Sequence, residues 1–149
     1  MKTKTIGLAL LLIIAAGGMC FASPNPSLGT WKLNESKSKF GDGMGKSMMG
    51  MWEKVGDKDK CTVDGVNAED KKTHSVWTGQ FDGKDYPITG DATSDTRSFK
   101  LKGDHTLEMI SKKDGKVVGD GTIVVAADGK TRTVTIHMPN AKGVKVTST

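Results

Sequence analysis

Four methionines, Met44, Met48, Met49 and Met51, fall within eight consecutive residues. Soft thioether sulfurs suit Cu(I), so a site with three or so converging sulfurs is the chemistry this spacing suggests. The same side chains also serve as pliable filling for a core or a rim, and no His or Cys stands among them. Strand alternation puts Met48 and Met49 on opposite faces unless the chain breaks at Gly50. Core or rim filling is therefore the expectation, with Met44, Met48, Met49 and Met51 as the alternative metal set and no cofactor.

His74, His105 and His137 are widely spaced and fall on different strand-like runs, which gives no ligand signature. Cys61 has no His or acid beside it and reads as a small buried strand residue, not a reactive thiol. The chain has no Gly-x-Ser-x-Gly elbow, no phosphate-cradling glycine motif and no His-Glu-x-x-His. Most Asp and Glu residues stand in turn-like stretches, where solubility and turn formation account for them. The residue types of a recognised mechanism do not converge, so an enzyme is not expected.

The elements that would position these residues begin after a leader. Residues 1–22 pair a basic start, Lys2 and Lys4, with the apolar run Ile6–Ala16 and end on Cys20-Phe21-Ala22. This is the pattern of a signal peptide cut after Ala22, so export to the periplasm or beyond the cell is expected. Met19 before Cys20 is not the small residue that a lipoprotein signal wants. No second long apolar run follows, so no transmembrane segment is expected in the mature chain. The remainder, 23–149, suits one domain with one core. Its formal charge falls from +5 to +3 when Lys2 and Lys4 leave, and the charges are interspersed, which is no footprint for nucleic acid. A monomer is expected.

The mature chain is written in short alternating runs. Gly29-Thr-Trp31-Lys-Leu33-Asn34 puts Trp31 and Leu33 on one face. Strand-like runs recur at Trp52–Val55, Cys61–Val63, His74–Phe81, Arg97–Leu101, His105–Lys112, Lys116–Val118 with Thr122–Ala126, Thr131–Met138 and Val144–Val146. Asn34–Phe40 reads as a turn or a single helical turn, and Tyr86–Asp91 as a loop shaped by Pro and Gly. Of the Asp-Gly pairs, those at 64, 82, 114 and 128 stand beside alternating runs, a strong hairpin signal because both central positions of a type I′ turn need positive φ. No window carries apolar residues at helical spacing over three turns. The expected fold is all-β, an antiparallel up-and-down meander of about eight strands that curls into a barrel and removes its edges.

The chain resembles a group of small exported bacterial proteins described as lipocalin-like and of unknown function. The resemblance rests on Gly29-Thr-Trp-Lys-Leu-Asn34, Lys37-Ser-Lys-Phe40, Asp82-Gly-Lys-Asp-Tyr-Pro-Ile-Thr-Gly90 and the Asp-Gly-Lys hairpins, spanning 28 to about 143. It implies a lipocalin-like barrel and brings no activity with it. Lipocalins add a Thr-Asp-Tyr turn, absent here, and a late Arg packed over the first Trp, which Arg97 or Arg132 would have to supply. The last strand ends almost at once, so the barrel is expected to be incompletely closed.

An exported barrel that binds a small, largely apolar ligand is the expected function. Trp31, Trp77, Phe81, Phe99, Leu107, Met109, Val134 and Ile136 are expected to line its interior or plug its base. Trp31 in particular is expected to be largely buried against the late strand. The alternative is an envelope structural or interaction module without ligand, which the seven aromatic side chains left after Phe21 departs would suit. A Met-rich copper binder is the remaining alternative.

Overall fold

The computed structural model describes residues 25–139 and 145–148. The expected leader, residues 1–22, lies outside the described residues. Ten strands follow one another: β1 (Gly29–Lys32), β2 (Lys46–Val55), β3 (Lys58–Val66), β4 (Lys72–Gly79), β5 (Tyr86–Thr89), β6 (Thr96–Leu101), β7 (Thr106–Lys113), β8 (Lys116–Val125), β9 (Arg132–Pro139) and β10 (Lys145–Ser148). All pairings are antiparallel and join sequence neighbours. Among the described residues β1 and β10 share no ladder, so the curled sheet is an open half-barrel. One 3-10 turn, Glu35–Lys37, interrupts the β1–β2 connection. No helix among the described residues is long and apolar enough to cross a membrane.

The all-β meander expected from alternation is present, with ten strands in place of about eight. Tyr86–Thr89 is a strand, not a loop. Its ladders are short, Val76↔Thr89 and Trp77↔Ile88 on one side and Tyr86↔Arg97 and Pro87↔Thr96 on the other. Asp64-Gly65 is not a turn but lies inside β3, paired with both neighbours. A Cβ on Gly65 would collide with the Lys46 carbonyl, so this glycine serves close backbone approach. Asp114-Gly115 does make a two-residue turn, between Lys113 and Lys116, with φ +49° and +75°. Gly56-Asp57 closes β2 onto β3 in the same span, with φ +63° at the glycine alone, as a type II′ turn requires.

The register assembles the core in rows. Trp52 faces Cys61, Cys61 faces Trp77 and Trp77 faces Ile88 across β2 to β5. On the other half, Phe99, Met109, Gly121 and Ile136 form one row, and Leu107, Ile123 and Val134 another. All point to the concave side because register positions directly opposite share a face. The best-sealed are Leu107 at 0 % exposure and Trp77 at 1 %.

Candidate functional site

The eight residues named from the sequence all lie in or against one apolar cluster. Trp77, Phe99, Leu107 and Met109 are buried in the core, and Trp31, Phe81, Val134 and Ile136 pack against it half-buried. The aromatic part is a tight cluster. Trp77 meets Phe99 edge-on at 4.7 Å between centroids, and Trp52 meets the same ring at 5.2 Å. Phe81 stacks on Trp77 at 6.3 Å and touches Trp52 edge-on at 5.7 Å. Such offset and T-shaped contacts favour fixed packing beyond area burial alone. Trp52, Cys61, Ile88 and Ile123 belong to the same core but are missing from the set expected by sequence. Alternation along β2 lets only one of the neighbours Met51 and Trp52 face inward. Trp52 does, at 3 % exposure.

Trp31 is less enclosed than a barrel plug should be, being only half-buried. Its indole Nε1 donates to the Ser27 carbonyl at 2.7 Å. The segment before it is tied to the base of the sheet. Asn25 Nδ2 donates to Asp59 Oδ1 at 2.9 Å, and the Ser27 N–H donates to Asn25 Oδ1 at 2.8 Å. Asp59 is itself buried and takes its other oxygen's partner from Lys54, at 2.9 Å. The late strand does reach Trp31, through Arg132: its guanidinium lies over the Trp31 ring, 4.9 Å from the centroid. Arg132 also needs the absence of a side chain at Gly50, where a Cβ would stand 2.7 Å from Nη2.

Arg97, the other arginine that the resemblance allowed, does different work. Its Nη2 pairs with Asp91 Oδ2 at 2.9 Å and its Nε donates to Ser111 Oγ at 2.9 Å. Its own carbonyl accepts from Trp77 Nε1 at 2.8 Å. Desolvation works against the Asp91 carboxylate. Hydrogen bonds from Thr93 and Ser94, with the Arg97 charge, outweigh it and hold the group below its ordinary value. This network locks the β5–β6 connection.

Burial pushes the Cys61 thiol up to about 12 against the pull of Arg132 and Arg97, so it is neutral and inert at ordinary pH. Burial also pushes the Arg132 guanidinium down to about 10, which still leaves it a cation at neutral pH.

The methionines do not follow the expected alternation. Between Ser47 and Met49 the register shifts, so Met48 is the extra residue of a β-bulge. The break thus falls at Met48, and Gly50 is an ordinary ladder residue opposite Trp31 and Val63. Met48 and Met49 are both exposed, Met51 is half-buried on the face opposite Trp52, and Met44 precedes the strand. Among the described residues no group of three or more His, Cys, Asp or Glu is placed to hold a metal. The histidines stay apart. His74 Nδ1 lies 2.7 Å from Asp64 Oδ1, His137 Nδ1 lies 2.9 Å from Asp120 Oδ1, and His105 stands exposed in the β6–β7 turn.

Two open surface grooves flank the sheet, one beside Met48, Val66, Lys72 and His74 and one beside Asn25, Pro26, His105 and Val125. Neither is lined by any of the eight concave residues. Comparison with family models, curated proteins and solved structures finds no match for this chain.

Proposed function

We propose that the half-barrel is an exported binding protein that holds a small, largely apolar ligand against its concave face. The observation that carries this reading is the unequal sealing of that face. Trp77 and Leu107 are fully enclosed, whereas the inward-facing Trp31, Phe81, Val134 and Ile136 are left half-buried. The sealed rows make a rigid floor, and the half-buried side chains on β1 and β9 lie towards the two ends of the strand order, whose edge strands β1 and β10 share no ladder. A ligand covering them gains roughly 25 cal/mol for each Å² of apolar surface removed from water. Rigid apolar floors with few polar groups are the usual make-up of small-molecule sites. The leader pattern supports action in the periplasm or outside the cell.

The test is solvent extraction of protein purified without detergent, followed by mass spectrometry. A near-stoichiometric apolar molecule is the expected result. A protein that yields nothing, and takes up none of a panel of fatty acids, alcohols and aromatic dyes, would sink the proposal. A single envelope protein recovered by crosslinking would then favour the interaction-module reading.

A further inference from the structure

We infer that the ligand is a singly charged amphipathic anion, a carboxylate on an alkyl chain, whose head group is received by Arg132. This rests on the binding reading above and assigns the chemistry of that same face. The starting point is an incomplete contact. Arg132 Nη1 is shut off from water and has no hydrogen-bond partner. A buried donor left unpaired is costly, and more so when it carries charge. The contact with the Trp31 ring leaves the Nη1 donors unserved.

Among the described residues no Asp or Glu side chain supplies a counterion. All 17 Asp and Glu residues lie between Glu35 and Asp128, among the described residues. None of the ion pairs there includes Arg132. The nearby Cys61 is a neutral thiol. Arg97, the other buried arginine, is already matched by Asp91. One unmatched cation calls for one negative charge, which favours a carboxylate over a phosphate dianion. A guanidinium edge also fits a carboxylate with two parallel hydrogen bonds.

The tail follows from the strand. Val134 and Ile136 stand two and four residues beyond Arg132, so all three point to the same side of β9. They are half-buried and continue the apolar face for about 13 Å from the arginine. The charge sits at one end and the greasy track runs away from it. That layout fits a head and a tail better than a wholly apolar molecule.

The experiment is calorimetric titration of delipidated full-length mature protein with decanoate, decanol and acetate, all below any micellar concentration. Decanoate binding at least tenfold more tightly than decanol, with acetate not detected, is the expected result. Arg132→Gln should erase the difference between decanoate and decanol. Arg132→Lys, which keeps the charge, should restore part of it. The ratio in the unaltered protein decides the matter even if Arg132→Gln folds poorly. Equal binding of decanoate and decanol would overturn the inference and leave the apolar-ligand reading standing. Acetate binding as tightly as decanoate would show a bare anion site and overturn it too. Binding of none of the three overturns both.

Discussion

Arg132 and Trp31 join the two ends of a sheet that does not close. The guanidinium stands 4.9 Å from the indole centroid, although β9 and β1 share no ladder. A cation over an indole is worth about 0.5–2 kcal/mol, depending on how far it is desolvated. Here it acts as a clasp across the seam.

The tryptophans should therefore differ in what they contribute. Trp77 is 1 % exposed and contacts three other aromatic rings besides Trp52, so Trp77→Ala should cost about 3–5 kcal/mol. Trp31 is half-buried, and Trp31→Ala should cost less, about 2 kcal/mol. Urea unfolding of both variants checks the order. Equal losses would mean that Trp31 is a full core residue after all.

Cys61 should resist thiol reagents in the native state and react on unfolding. Its folded value of about 12 lies above the ordinary 9.0 because burial disfavours the thiolate. The unfolded chain releases this proton first as pH rises. The stabilisation is thus complete below pH 9 and is lost between about 9 and 12. Cys61→Ala should lower the neutral plateau and flatten that alkaline decline. An equally steep decline in the variant would assign it to other groups.

At the acid end the relevant group is Asp91. Its folded value is held below the ordinary 3.8, so its contribution is present above that pH and fades as pH falls beneath it. Melting temperature followed from pH 5 downward should fall less steeply in Asp91→Asn than in the parent. The variant should also be less stable at neutral pH, because Arg97 then loses its charge partner.

Two glycines should fail for different reasons. Gly115→Ala meets no atom within 4 Å, so only the strain of φ +75° counts, about 1 kcal/mol. Gly65→Ala drives a methyl from near the end of β3 into the Lys46 carbonyl of β2 and should cost more. Thermal melts of the pair test the ranking.

Much of this fold is readable in the alternation of side chains. Val134, Ile136 and Met138 mark β9 directly, and Asp114-Gly115 marks the β7–β8 turn, where positive φ at both residues suits a type I′ geometry. Local signals failed where the ladder overruled them. Asp64-Gly65 looks like a hairpin, yet pairing with β2 and β4 on both sides holds it extended. Tyr86-Pro87 looks like a loop, since proline weakens a strand, but four residues wedged between β4 and β6 suffice. The concave set was legible because inward positions are the apolar ones of each strand. The choice of Arg132 over Arg97 was not, because it depends on how far the sheet curls and on the space at Gly50.

The strictly sequential order of the strands also sets a timetable. Every ladder joins neighbours in the chain, so each step of assembly closes a short loop and forfeits little entropy. Growth from a tight hairpin such as β7–β8 spreads outward to both flanks without waiting for a distant segment. The clasp between Trp31 and Arg132 is the exception, since it must bring opposite ends of the sequence together. It is therefore the last contact to form and the first to let go. Amide exchange should be slowest around Met109 and Ile123 and fastest along β1, as though the molecule breathed by swinging its first strand away from a standing wall.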